Sequence, residues 1–201
     1  WKALQPNGPE VSTQLLTFQS HINLLKSNGY KVMVTVAKAP TWARSTTVED
    51  GPPDNLADFE AFISTLLELS GSQIDAIEVW NEPNILREWN TDVYPFTGSG
   101  YMKLFDSAYN VIRAYSNDIV VVTAGLAPTG NSSVSVQDRR FLRQMYGAGL
   151  AKYQNVAVGV HPYGWGNSPD SICCNPSDIR DWDDQPQFFF LNTIATYHDI
   201  M

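Results

Sequence analysis

Apolar residues in this chain follow two patterns, short uninterrupted runs and longer segments in which they recur at every third or fourth position. Four runs predict strands, and they cover residues 32–36, 74–80, 119–123 and 156–160. A run such as Ile-Val-Val-Val at residues 119–122 is typical of a parallel sheet whose two faces are both covered. The runs therefore predict four buried strands.

Segments with helical spacing lie before, between and after these strands. The first carries Leu15, Phe18 and Ile22 on one face and is followed by Gly29, a residue type that is common just after a helix end. The predicted helices cover residues 14–28, 57–69, 101–115, 138–146 and 187–201. Alternation of strand and helix without an intervening linker predicts a single α/β unit with a parallel sheet over residues 1–201.

The loops that follow the strands are long and hold most of the proline, glycine and tryptophan residues. They cover residues 40–55, 83–100, 124–137 and 161–186. This distribution is typical of a barrel whose site is built from the loops at the carboxyl ends of its strands. A doubly wound sheet is the alternative, but no glycine-rich phosphate-binding turn follows any strand.

Charge and composition narrow the range of partners. The formal net charge is −8 and no basic patch is visible, which argues against a nucleic-acid partner. No apolar run approaches the roughly 20 residues that a membrane-spanning helix requires. Three scattered histidines indicate no metal site. Cys173 and Cys174 are adjacent and cannot crosslink distant segments, so we interpret them as two loop thiols, with a strained vicinal disulfide as the alternative.

Candidate chemistry is concentrated where the second predicted strand ends. Alternation along this strand places Glu78, Trp80 and Glu82 on one face. Asn81 precedes Glu82, and Pro83 ends the strand because it has no N–H for the ladder. A carboxyl group fixed at a strand tip is suited to transferring a proton to a leaving group.

The motif around Glu82 is accompanied by further matching stretches in the same order along the chain. Glu-Val-Trp-Asn-Glu-Pro-Asn stands at residues 78–84, with Ala-Pro-Thr-Trp-Ala-Arg at 39–44, Gly-Leu-Ala-Pro at 125–128 and Gly-Val-His-Pro-Tyr-Gly at 159–164. Together they resemble a clan A glycoside hydrolase, of the family 39-like (β-xylosidase-like) group. The resemblance implies a (β/α)8 barrel that cleaves glycosidic bonds with retention and needs no metal or organic cofactor.

The resemblance also implies roles for individual residues. Glu82 would be the general acid/base, and Asn81 would bind the sugar 2-hydroxyl. His161 and Tyr163 share a strand face and would reach the site, with a hydrogen-bonded core histidine as the alternative. Trp42 and Trp165 would stack on sugar rings, with loop packing as the alternative.

Other parts of the resemblance point outside the chain. The clan's nucleophile is a second glutamate at the tip of strand seven, whereas this chain matches only the part from the end of strand two to the helix after strand six. Strands one, two, seven and eight are therefore expected in further polypeptide that completes the barrel, because four strands cannot close one. Glu78 is expected to be a structural carboxylate paired with a cation from a strand outside the chain.

These observations predict the central part of a retaining β-glycosidase that acts on a poly- or oligosaccharide, with Glu82 as acid/base. The resemblance favours an extracellular or cell-surface location. The alternative is a non-catalytic module of glycosidase-like fold that binds glycan or serves as a scaffold. Asn81 and Glu82 favour the enzyme, while the absence of the nucleophile from this chain permits the module.

Overall fold

The computed structural model describes residues 1–174 and 184–201 and contains one four-stranded parallel sheet. The strands are β1 (Met33–Val36), β2 (Ala76–Val79), β3 (Val120–Thr123) and β4 (Val156–Ala157), and they lie in the order β1-β2-β3-β4. The predicted parallel sheet is thus confirmed. The fourth strand is shorter than predicted, although a parallel bridge between Leu126 and Val160 continues the pairing beyond it.

One helix precedes the first strand, three connect successive strands, and one follows the last strand in the described part of the chain. They are α1 (Thr13–Ser27), α2 (Leu56–Ser70), α3 (Gly98–Tyr115), α4 (Asp138–Gly147) and α5 (Phe190–Ile200). The side chains of Ser12, Asn55 and Thr97 accept hydrogen bonds from the first turns of α1, α2 and α3, so these N-termini are capped locally. α5 begins later than predicted because Pro186–Phe188 form a separate 3-10 turn.

The hydrophobic core lies on the helix side of the sheet. Val34 and Val36 of β1 are buried, whereas Met33 and Thr35, which point the other way, are exposed. α2 contributes a continuous buried stripe, which consists of Phe59, Phe62, Ile63, Leu66 and Leu67. The expectation that both faces of the strands are covered is therefore wrong for β1 within the described part of the chain.

The two outer strands each have one neighbour. β1 pairs only with β2, and β4 pairs only with β3, among residues 1–174 and 184–201. Their outer edges therefore present backbone groups that no described strand pairs. None of the described helices is both long enough and apolar enough to cross a bilayer.

Candidate active site

The backbone turns sharply at the carboxyl end of β2 and so positions Glu82. Trp80 and Glu82 both have positive φ angles, 78° and 45°, which ends the alternation of side chains at Val79. Such left-handed conformations cost about 1–3 kcal/mol in a residue other than glycine and persist only where the surroundings hold them. The Glu82 N–H donates to the Gly125 carbonyl oxygen at 3.0 Å and helps to fix the turn.

Trp80 does not share the face of Glu78, so that prediction is wrong. Its fully buried indole packs edge-on against Phe59 of α2 and Trp89, and its Nε1–H donates to the Glu88 carbonyl oxygen at 2.9 Å. The positive φ rotates the side chain to the helix side of the sheet, where an apolar ring is covered. Trp80 thereby anchors the base of the loop that follows β2.

Glu82 and His161 form a hydrogen-bonded pair across the sheet. Glu82 is buried, and its Oε1 lies 2.9 Å from His161 Nδ1. This hydrogen bond raises the pKa of His161 against the opposing effect of burial, and the charges of Glu82 and Glu78 add to the increase. The other oxygen, Oε2, lies 3.8 Å from Arg87 Nη2. The structure therefore brings the predicted residues Glu82 and His161 into direct contact.

Glu78 has neutral partners. Its Oε1 accepts from the Gly125 N–H at 3.0 Å, and its Oε2 accepts from the Thr35 hydroxyl at 2.5 Å. No cation lies within ion-pair distance of Glu78 in the described part of the chain. The hydrogen bonds hold β1, β2 and the end of β3 together, and the predicted cationic partner is not among residues 1–174 and 184–201.

Gly125, just after β3, connects these groups and was missed as a site residue by sequence reasoning. A Cβ atom at this position would stand 2.4 Å from the His161 ring, so only glycine leaves room for the imidazole. Its N–H binds Glu78 and its carbonyl oxygen binds Glu82. The Gly-Leu-Ala-Pro stretch marked the position, but its spatial neighbours are not visible in sequence.

Asn84 holds the loop after β2 against the loop after β3. It is fully buried, with its amide donating to the carbonyl oxygens of Ala127 and Val136 at 2.8 and 3.0 Å and accepting from the Ala127 N–H at 2.9 Å. Asn81 differs, because it is partly exposed and its side chain makes no hydrogen bond within the described residues. Asn81 is therefore free to bind a ligand, whereas Asn84 supports the loops.

An open cleft of about 450 Å³ begins at Glu82. Tyr163 and Trp165 are 51% and 54% exposed, and their rings form a row that runs from His161 through Tyr163 to Trp165, with centroid spacings of 5.6 and 6.4 Å. The residues lining the cleft are Glu82, Arg87, Ala127, Pro128, Tyr163, Gly164 and Trp165. The described part of the cleft thus combines the Glu82 carboxyl group with exposed aromatic surface.

Trp42 lies apart from this cleft. Its Nε1–H donates to the Gln5 carbonyl oxygen at 2.8 Å, and its ring packs edge-on against Trp1 with centroids 5.8 Å apart. These contacts support the loop-packing alternative for Trp42. Among residues 1–174 and 184–201, no group of three or more histidine, cysteine, aspartate or glutamate side chains could hold a metal ion.

The adjacent cysteines form a vicinal disulfide, so the interpretation of Cys173 and Cys174 as two free thiols is wrong. Neighbouring cysteines can adopt either state, and their spacing in sequence does not distinguish the two. The Cys173 N–H donates to Asn192 Oδ1 at 2.9 Å, which ties this part of the loop to α5.

Comparison with known proteins gives one family and several structures of similar fold. A family model described as Cellulase (glycosyl hydrolase family 5) matches residues 1–197. No curated protein sequence matches the chain significantly. A broad specificity endoglucanase from Clostridium longisporum shares 14% identity with a TM-score of 0.60, over 98% of this chain and 56% of that chain.

Two further solved structures agree with this fold. Endoglucanase Cel5A from Thermotoga maritima shares 16% identity with a TM-score of 0.58, over 99% of this chain and 61% of its own. A family 39 glycoside hydrolase from Bacteroides cellulosilyticus shares 16% identity with a TM-score of 0.60, over 89% of this chain and 34% of its own. The predicted fold class, part of a (β/α)8 barrel, is confirmed, and the chain spans less than two thirds of each structure.

Proposed function

Because the chain belongs to the cellulase family, glycosyl hydrolase family 5, we propose that it carries the acid/base part of a retaining β-glycosidase site for a poly- or oligosaccharide. The observation that carries this proposal is a buried Glu82 at the tip of β2, hydrogen-bonded to His161 at 2.9 Å and opening onto a cleft with exposed aromatic rings.

The comparisons support clan A but not the predicted family within it. The matching family is family 5, and the family 39-like placement that the sequence favoured is not confirmed, although structures from both families share the fold. Family membership does not identify the sugar or the position of the linkage. The proposal therefore names a class of substrate only, a β-linked glycan.

The proposed reaction has two steps in which Glu82 carries the proton. In the first, a carboxylate attacks the anomeric carbon, the glycosidic C–O bond breaks, and Glu82 gives its proton to the departing oxygen. In the second, Glu82 takes a proton from water, which attacks the anomeric carbon and releases the carboxylate. His161 holds the Glu82 carboxyl in a fixed orientation through its Nδ1.

The attacking carboxylate must lie about 5–5.5 Å from that of Glu82 in a retaining enzyme. Glu78 is an unsuitable candidate because both of its oxygens accept hydrogen bonds, from Gly125 and Thr35. We infer that the nucleophile comes from further polypeptide that also pairs with the open edges of β1 and β4. The exposed face of β1, at Met33 and Thr35, supports this completion of the barrel.

The remaining candidates serve binding in this proposal. Asn81 is partly exposed next to Glu82 and would donate to a sugar hydroxyl. Tyr163 and Trp165 would cover the C–H faces of sugar rings, which leaves the hydroxyl groups free to hydrogen-bond. A glycan-binding or scaffold module of the same fold is the second candidate, because Glu82 is the only carboxyl group among the described residues that line the cleft.

An extracellular or cell-surface location is part of the proposal. Its support is the family match, since proteins of glycoside hydrolase families are often secreted.

The test compares Glu82→Gln with Glu68→Gln in the natural-length protein, because Glu68 is exposed on α2 away from the cleft. Glu82→Gln should lower hydrolysis of an unactivated glycoside by about 10²–10⁴-fold. An activated aryl glycoside needs less protonation of its leaving group, so its first step should suffer far less, and azide should restore turnover. A wild-type protein that binds β-glycan but cleaves no glycoside would establish the module instead.

A further inference from the structure

Arg87 is the only basic residue among the described residues that line the cleft, in a chain whose formal net charge is −8. Its side chain is 70% exposed, and it belongs to the 3-10 turn Leu86–Glu88 that follows the Asn-Glu-Pro motif. A positive group therefore stands beside the proposed acid/base in an otherwise acidic molecule.

The backbone beneath Arg87 is firmly held. The Leu86 N–H donates to the Val134 carbonyl oxygen at 2.8 Å, and the Glu88 N–H donates to the Ile85 carbonyl oxygen at 3.1 Å. The Glu88 carbonyl oxygen in turn accepts from the Trp80 indole. The chain direction at Arg87 is thus fixed by contacts that do not involve its own side chain.

The guanidinium group, in contrast, is held only by a long ion pair with Glu82 within the described part of the chain. It donates no hydrogen bond there, and its nearest carboxylate oxygen, Glu82 Oε2, is 3.8 Å away, which is beyond hydrogen-bond distance. Arginine carries five N–H donors in a planar fork that matches the two oxygens of a carboxylate. An arginine whose backbone is fixed and whose N–H donors are not used in hydrogen bonds is suited to binding an anionic ligand.

We propose that Arg87 selects a sugar unit that bears an anionic group, a uronic acid carboxylate in the first instance, next to the bond that Glu82 protonates. The proposal rests on the proposed function. A group held by the guanidinium lies within one sugar ring of Glu82, because the two side chains are 3.8 Å apart. Trp165 and Tyr163, on the same cleft, would cover the apolar face of the same or the next ring.

Arg87 would select the anionic sugar at contact distance, not through the long-range field of the protein. The net charge of the protein repels anions at long range, but this field is screened beyond about 10 Å at 0.1 M salt. At contact distance the paired hydrogen bonds of the fork act in addition to charge, so arginine should recognise the carboxylate better than lysine would. A sulfate ester on the sugar offers the same charge with different geometry and must be tested separately.

The experiment uses the natural-length protein with Arg87→Gln, Arg87→Lys and, as a control, Arg143→Gln, which changes an exposed arginine on α4 away from the cleft. The substrates are a β-linked oligosaccharide that carries one glucuronosyl unit, its glucosyl counterpart and its sulfated counterpart. The ratio of kcat/KM for the glucuronosyl substrate to that for the glucosyl substrate is measured at low and high salt.

We expect the wild type and Arg143→Gln to prefer the glucuronosyl substrate by about 10-fold or more. Arg87→Gln should abolish this preference, and Arg87→Lys should retain part of it. A ratio that is the same in the wild type and Arg87→Gln overturns the proposal, and so does a larger Arg87-dependent preference for the sulfated substrate. If no glycoside is cleaved at all, the proposed function fails, and calorimetric titration with the glucuronosyl oligosaccharide tests the selection alone. Binding that Arg87→Gln weakens supports it, and equal binding by both proteins overturns it.

Discussion

Glu78 and Glu82 are separated by three residues and differ in what their oxygens contact. Glu78 accepts hydrogen bonds from Gly125 and Thr35, so its burial is compensated by neutral donors. Glu82 gives one oxygen to His161 and turns the other toward the cleft. The same side chain is therefore a structural tie at the first position and a candidate proton carrier at the second.

The pKa of His161 should depend on Glu82. The hydrogen bond to Glu82 is the main cause of the raised pKa, so Glu82→Gln should lower it toward the ordinary value of about 6.5. NMR titration of the imidazole C–H signals measures this, with Glu68→Gln as the control that leaves it in place. A His161 titration that is the same in all three proteins would contradict the pairing.

The same pair gives a stability effect with a defined sign. Because the pKa of His161 is higher in the folded state, the pair stabilises the fold fully below the unfolded pKa of about 6.5. This contribution is lost as the pH rises through the folded pKa. The Tm difference between wild type and Glu82→Gln should thus be larger at about pH 5.5 than at about pH 9. A Tm difference that increases with pH would contradict a stabilising pair in which the folded pKa of His161 is raised.

Glu78→Gln should lower the stability of the fold. The amide oxygen can still accept from the buried Gly125 N–H, but the NH2 group cannot accept from Thr35, whose hydroxyl must turn to accept instead. Both hydrogen bonds lose their charged acceptor, at a cost of about 1–2 kcal/mol in the free energy of unfolding. Urea denaturation of this variant beside Glu68→Gln measures the loss. Unlike Glu82→Gln, Glu78→Gln should not spare activated substrates selectively. A variant as stable as the wild type would argue against the structural role.

Glu82 and Asn81 could be predicted from the sequence because their motif is local. His161 and Tyr163 could be predicted as site residues because they share a strand face. Gly125 and Asn84 could not be identified as supports, since their roles depend on contacts with residues that are distant in sequence. Trp42 looked equivalent to Trp165 in sequence, whereas its contacts with Gln5 and Trp1 hold it apart from the cleft. Composition of a loop does not reveal which of its side chains face a cleft.

At the scale of elements, Asp75 ties the start of β2 to its neighbours. Its carboxylate accepts from Lys26 of α1 at 2.8 Å, from Lys31 at 2.9 Å and from the Val32 N–H at 2.8 Å. These bonds, that of Lys26 foremost, hold the pKa of Asp75 far below its usual range. One side chain thus joins a helix and two strands at the end of the sheet opposite the cleft.

Asp75→Asn should destabilise the fold by about 1–2 kcal/mol at neutral pH, because charged hydrogen bonds are lost at a partly exposed site. A depressed folded pKa stabilises above the unfolded value of about 3.9, and this contribution disappears as the pH falls through the folded pKa. The gap between wild type and variant in urea denaturation should thus narrow in acid. Asp118→Asn, at an exposed position, is the control, and a gap that widens in acid would contradict the account.

Gly125→Ala should separate the two partners of the candidate site. The added methyl group would stand 2.4 Å from the His161 ring, and the backbone is held by Glu78 and Glu82, so the ring must move. We expect hydrolysis to fall and the pKa of His161 to decrease toward its ordinary value. Gly147→Ala, where a Cβ meets nothing within 4 Å, is the matched control. Equal activity of both variants would show that the contact is unimportant.

The helices and strands were predictable because hydrophobic periodicity is a local signal and several caps reinforce it. Alternation failed at Trp80, where a positive φ redirects the side chain. It also overestimated the length of β4, whose pairing breaks after Ala157. Both departures lie at carboxyl ends of strands, where loop contacts rather than pleating determine the backbone.

At the scale of the whole molecule, the sheet is open on one side and at both edges as far as residues 1–174 and 184–201 show. Parallel sheets are usually covered on both faces, yet Met33 of β1 is 57% exposed beside an unpaired strand edge within the described residues. Exposed edges of this kind act as templates for pairing with other chains. The proposed completion of the barrel would remove this liability.

Residues 1–201 on their own should therefore self-associate through β1. We expect light scattering to report oligomers that increase with protein concentration, and Met33→Lys to shift them toward the monomer, because a lysine on an edge strand opposes pairing. Leu24→Lys is the matched control, since Leu24 is 62% exposed on α1, away from the edge. If both substitutions reduce association equally, general surface hydrophobicity is the cause. A wild-type chain that stays monomeric and unfolds in one cooperative transition would show that the open sheet needs no partner.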